Sequence, residues 1–114
     1  MSGYNPMDTR AQERAQAEQA DKARRDQREY SDDLNRVMSN KSGRRFMRRL
    51  LAETGVYRES FDPNALRMAH REGERNVGLR LLAAVQSACP ERYLEMLQEH
   101  SKDERSSNDR STSN

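Results

Sequence analysis

Cysteine occurs once in the 114 residues, tryptophan not at all, phenylalanine twice and proline three times. One cysteine, Cys89, excludes an internal disulfide and any cysteine-based metal site built within a single chain. That usage suits a reducing compartment. No apolar run approaches the length of a membrane span, and no secretory h-region is present. The expectation is a soluble chain, made and used in a cytoplasm. Only two histidines, His70 and His100, accompany the cysteine, and a zinc site would need ligands from other chains. No serine lies in a nucleophile-elbow context, and no glycine loop suited to cradling phosphate occurs. These shortages point away from an enzyme and call for no cofactor or metal.

Hydrophobic residues are also scarce, at 32% against 35% charged, and mean hydropathy is -1.26. A core running the full length is excluded, so part of the chain must be solvated. Net charge is only +2, too small to imply nucleic-acid binding, but its distribution is uneven. Residues 1–30 hold six basic and six acidic groups. From Leu34 to Ala52, Arg36, Lys41, Arg44, Arg45, Arg48 and Arg49 occur with no acid among them.

The centre of that run reads Arg-Arg-Phe-Met-Arg-Arg-Leu-Leu over residues 44–51. On a helical wheel Phe46, Met47, Leu50 and Leu51 fill one arc of roughly 140°, and the four arginines fill the opposite arc. A strand would scatter the same residues over both faces. The pattern predicts a helix with Phe46, Met47, Leu50 and Leu51 inward and a cationic face outward.

The rest of the chain reads as helix punctuated by turns. Residues 8–30 are almost all Ala, Gln, Glu, Asp, Lys or Arg, mostly good helix formers. Their apolar content is alanine, which buries too little area to fix a helix onto anything. Ser31 or Asp32 is placed to cap a short helix marked by Leu34, Val37 and Met38, and residues 39–43 have turn chemistry. After the Arg/Leu helix, Gly55 suits the left-handed position beyond a helix end. Asp62-Pro63 reads as a cap followed by a first-turn proline, opening a long helix to Ala88. Its stripe is Leu66, Ala69, Gly73, Val77, Leu81, Ala84 and Ala88. Gly73 and Gly78, each costing up to about 1 kcal/mol against alanine, predict close approach of a second backbone. Pro90 ends that helix and opens another to about His100, with Leu94 and Leu97 inward beside Tyr93 and Met96. Residues 101–114 hold no apolar residue and read as a disordered tail.

The resulting expectation is an all-α protein, a small bundle of about four helices. A charged arm (residues 1–30) precedes a compact domain (31–100) and a polar tail (101–114). So small a core belongs among marginal folds, which self-association or a partner surface commonly completes.

For each polar candidate a structural role competes with a functional one. His70, near the stripe, reads as a partly buried, hydrogen-bonded residue. His100 reads as a cation at a helix C-terminus, and Cys89 as a small hydrophobe. Arg80 interrupts the apolar stripe: it either ties helices together through a carboxylate or serves as an interface anchor. Arg44, Arg45, Arg48 and Arg49, assisted by Arg36 and Lys41, form the candidate partner-binding face. Against nucleic acid such a face gives salt-dependent, sequence-indifferent contact, but no interleaved aromatic offers base stacking. Against protein, arginine suits bidentate contact with an acidic patch. The low net charge favours protein, with DNA contact as the alternative.

Several stretches in order resemble a small domain of tailed-phage proteins whose type member comes from a Bordetella podophage. They are Ser42-Gly43-Arg44; Leu50-Leu51 followed by Gly55-Val56 and Phe61; residues 73–78 (Gly-Glu-Arg-Asn-Val-Gly); and Pro90-Glu91 with Tyr93 and Met96. The similarity spans about Leu34 to Met96 and carries no established activity. It implies a small accessory protein from a virion-morphogenesis context, one that attaches to a capsid, portal or internal-protein assembly or travels with packaged DNA. The expectation is a protein made in the host bacterial cytoplasm and present in several copies. Two alternatives remain open: a nonspecific nucleic-acid binder in packaging or regulation, and an adaptor that inhibits a host protein.

Overall fold

Between Pro6 and Met38 the sequence contains neither glycine nor proline, and nothing in it stops a helix once started. In the computed structural model, which describes residues 6–112, this stretch forms α1 (Pro6–Met38) without a break. The expected cap at Ser31 or Asp32 is therefore absent. Ser31 lies inside the helix, its carbonyl accepting from Asn35 Nδ2 at 3.0 Å. Contacts divide the chain into two units, Met1–Tyr30 and Ser31–Asn114. In the first, every residue from 10 to 30 is exposed, and ion pairing runs along the helix, as between Asp21 and Arg24.

In the second unit the last turns of α1 are followed by α2 (Lys41–Glu53), α3 (Ala65–Ala88) and α4 (Pro90–Thr112). Asn40 caps α2, accepting from the Gly43 amide at 2.8 Å, so the turn expected over residues 39–43 is only two residues long. Gly43 is required there because a Cβ would overlap the Val37 carbonyl. The far end of α2 closes as expected, with Gly55 at φ +83°. The Gly55 amide reaches Ala52 O at 3.1 Å and the Val56 amide reaches Leu51 O at 3.4 Å, the paired bonds of a Schellman ending. The cap of α3 is Asn64, not Asp62: its side chain accepts from Leu66 and Arg67 at 3.0 and 3.1 Å. Asp62 instead accepts from the Asn64 amide at 2.7 Å, bracing the capping residue. Pro90 opens α4 directly behind Cys89, and that helix continues beyond His100 to Thr112. Residues 102–110 are exposed, as a segment without apolar side chains must be.

The core consists of Leu34, Met38, Met47, Leu51, Val85, Cys89 and Met96, with Leu81, Leu82, Tyr93 and Leu97 packed against it. Three of these seven are methionines, whose flexible side chains fill irregular gaps between helices of different direction. Asn35 Nδ2 also reaches Ala88 O at 3.3 Å, giving a donor to a carbonyl orphaned at the end of α3.

The faces turned inward differ from the apolar arcs of the sequence. On α2 the buried positions are Arg44, Met47 and Leu51, with Arg48 and Leu50 half-buried, while Phe46 is 64% exposed. At about 100° per residue, the buried arc is turned by roughly 60° from the apolar one. The long stripe on α3 holds only in its second half: Leu81, Ala84 and Ala88 pack against the core beside buried Gly78 and Val85, whereas Leu66 is 83% exposed and Val77 lies outside. On α4, Met96 is buried and Leu94 faces out.

Candidate interaction surface

Rotation of α2 breaks up the expected arginine face, and each of its members has a different environment. Arg44 is carried inward beside Met47 and is only 6% exposed. Its Nε donates to both Glu99 oxygens at 3.1 Å, Nη2 meets Glu99 Oε1 at 2.8 Å and Glu95 Oε1 at 3.3 Å. Nη1 donates to Met38 O at 3.0 Å. One guanidinium thus joins the end of α1, the start of α2 and the middle of α4. A desolvated arginine persists only when paired in this manner. The hydrogen bond from Arg44 holds the Glu99 carboxyl below the usual carboxylate range, against the opposing effect of burial. Arg44 is thereby removed from the set available to a partner.

Arg48 is half-buried, its guanidinium 4.0 Å from the centre of the Tyr57 ring. This is cation–π geometry. Tyr57 is itself pushed up to about 12 by burial and by a hydrogen bond with Tyr93. Arg45 and Arg49 face solvent with Lys41. Arg49 Nε lies 3.3 Å from Glu53, an exposed pair of little energetic weight, and Arg45 has no ion pair among the described residues. Arg36, on α1, is exposed and 3.8 Å from Asp33.

The wheel that turns Arg44 inward turns Phe46 outward, onto the side of α2 that holds Arg45 and Arg49. The surface the structure offers is therefore Lys41, Arg45, Phe46 and Arg49: three cations and an aromatic ring. Sequence reasoning missed Phe46 because hydrophobicity alone assigned it to the core. Its signal was Arg44 and Arg48, which lie on either side of Met47 along the helix and are long enough to cover core edge with their stems.

The remaining candidates divide in the same way. Arg80 is exposed and makes no ion pair among the described residues, so it ties no helices together. Gly78 is buried, and a Cβ there would overlap Thr54 and Val56 side chains beyond the end of α2. The close approach is by side chains, not backbone. Gly73 is exposed with nothing within 4 Å of a Cβ position, so no close packing explains it. His70 is exposed, with Nε2 2.6 Å from Glu74, contrary to the expected partial burial. His100 lies within α4, 3.2 Å from Glu104, because the helix does not end there. Cys89 is buried, which raises its thiol pKa.

Among the described residues no three His, Cys, Asp or Glu side chains come together to hold a metal ion. Among the same residues no helix is long and apolar enough to cross a membrane. Neither a curated protein nor a solved structure matches the chain. Residues 34–98, which contain the end of α1, all of α2 and α3 and the core-facing part of α4, match the family described as Bbp19-like phage protein. The match covers more than half of the sequence and every core residue from Leu34 to Met96, and the chain belongs to the Bbp19-like phage protein family.

Proposed function

We propose that this phage protein is a non-enzymatic component of the virion or of its assembly, docking onto another phage structural protein through the exposed side of α2. The observation that carries this reading is Phe46, 64% exposed on a helix that also presents Arg45, Arg49 and Lys41. Aromatic and arginine side chains together are the composition of energetically dominant positions in protein interfaces. Arg45 has no ion pair among the described residues, which leaves its planar fork open to a carboxylate of a partner. Further apolar side chains outside the core, Leu66, Val77, Phe61 and Leu94, fit a protein present in several copies within an assembly. The helical arm before Ser31 adds exposed charged length.

A nucleic-acid role is weaker on this surface than on the sequence pattern. Arg44 is committed internally and Arg48 is stacked on Tyr57, leaving few cations for a phosphate track.

The test is mass spectrometry of purified particles from phage encoding either the natural chain or a Phe46→Ala/Arg45→Gln/Arg49→Gln variant. The natural chain is expected in particles, with the variant depleted by about tenfold or more while far-UV helicity is kept. Absence of the natural chain from both finished particles and assembly intermediates, or equal incorporation of the variant, refutes the proposal.

A further inference from the structure

Beyond the end of α2, Thr54 and Gly55, the connection through Arg58 and Glu59, and the third turn of α3 enclose a cleft of about 220 Å³. Three guanidinium groups line it, those of Arg58, Arg71 and Arg75, together with the carboxylates of Glu59 and Glu74. Most of these groups have partners. Arg71 Nη1 is 3.3 Å from Asp62, Arg58 Nη2 donates to Ala52 O at 3.4 Å, and Glu74 faces His70. Arg75 differs. Its Nε is buried and makes no hydrogen bond among the described residues. Arg48 Nε is in the same state, but that guanidinium lies over the Tyr57 ring, whereas Arg75 makes no ion pair or ring contact among the described residues; its half-buried guanidinium lines the cleft and calls for an acceptor there.

We infer that this cleft is a carboxylate-binding site for an acidic segment of a protein partner, with Arg75 as the anchor and Arg58 as the second cation. A carboxylate offers two oxygens in the plane that a guanidinium fork requires. The two lining glutamates select among anions. They repel the continuous charge of a nucleic-acid backbone, whereas in a peptide each acidic side chain is accompanied by amide N–H donors that Glu59 and Glu74 can accept. The site rests on the proposed role in docking to protein, and adds the chemistry of the partner: an acidic peptide segment.

The experiment uses the full-length chain, labelled with nitrogen-15, and observes the Arg75 Nε–H resonance with the backbone amides of residues 54–60. The probe is an acetylated, amidated tetraglutamate peptide, with tetraglutamine and a short DNA duplex as comparisons. Tetraglutamate is expected to shift these resonances saturably, and tetraglutamine not to. Arg75→Gln is expected to weaken tetraglutamate binding by about tenfold or more, while Arg28→Gln on the helical arm, which removes the same charge, leaves it unchanged. Should Arg75→Gln lose helicity, Arg58→Gln replaces it, with the Arg75 resonance read directly and weaker binding again expected. No shift at millimolar peptide, undiminished binding by the folded variant, or a larger response to duplex than to tetraglutamate overturns the inference. These results are independent of particle incorporation, so failure of the cleft and failure of the α2 docking surface are told apart.

Discussion

Replacing Arg44 by glutamine removes a guanidinium that joins α1, α2 and α4. The loss leaves Glu99 facing a partly desolvated site and frees the Met38 carbonyl from its 3.0 Å bond. Deleting one partner of a buried ion pair costs about 3–5 kcal/mol. The Glu99 side chain retains 23% exposure and recruits some water, which places the expected cost near the lower limit, about 3 kcal/mol. With a urea slope of about 1.5 kcal/mol/M for a domain of this size, the unfolding midpoint should fall by about 2 M. Small domains hold only about 5 kcal/mol in total, so the variant should be close to its folding threshold. The matched control is Arg49→Gln, which breaks the pair with Glu53 at a position whose side chain is 81% exposed. Its expected cost is about 0.5 kcal/mol or less. Circular dichroism at increasing urea measures both. Equal midpoint shifts for the two variants would refute the assignment of Arg44 as an internal tie.

The same pair gives a pH dependence. Arg44 holds Glu99 below the ordinary value of 4.5, so its stabilisation is complete above that pH and is lost as pH falls through the folded-state value; urea midpoints of the natural chain should drop on acidification, and those of Arg44→Gln should drop less. Tyr57, pushed up to about 12, should ionise well above the ordinary value of 10 in an ultraviolet titration, and its contribution to stability, present below pH 10, should decline above it; ionisation of Tyr57 near pH 10 would contradict the burial and hydrogen bond described. Gly73→Ala should stabilise by up to about 1 kcal/mol because the site is open and alanine favours helix, whereas Gly78→Ala should destabilise by about 1–3 kcal/mol through overlap with Thr54 and Val56; thermal melts with the two variants in the opposite order would exclude this packing. Cys89, buried and with its thiol pKa raised first by burial and then by Glu91, should react with a disulfide reagent only on unfolding, and prompt labelling of the native chain would show that the α3–α4 junction is open.

Much of the architecture was legible in the residues themselves. The helix content, the Gly55 ending of α2, the Pro90 junction and the family resemblance follow from local chemistry: helix propensity, a left-handed turn that favours glycine, and a ring without an amide proton. Continuity of α1 was legible too, in the absence of any breaker up to Met38, but the capping potential of Ser31 obscured it. Asn64 captured the α3 cap from Asp62 because a carboxylate two residues earlier could serve that asparagine's own amide.

What only the tertiary structure decided is the rotation of each helix about its axis. Sequence periodicity identifies an apolar arc, but the direction of the core is set by how three helices meet, and an arginine with two carboxylates waiting across the gap can enter where a phenylalanine was expected. Arg44 went inward because Glu95 and Glu99 on α4 and the Met38 carbonyl on α1 together compensate its lost hydration, and residues so distant in sequence exert that effect only after the helices have packed. The sequence alone therefore determined a four-helix chain with a basic run at its centre. Packing determined which of those cations are internal ties and which, with Phe46 beside them, face a partner.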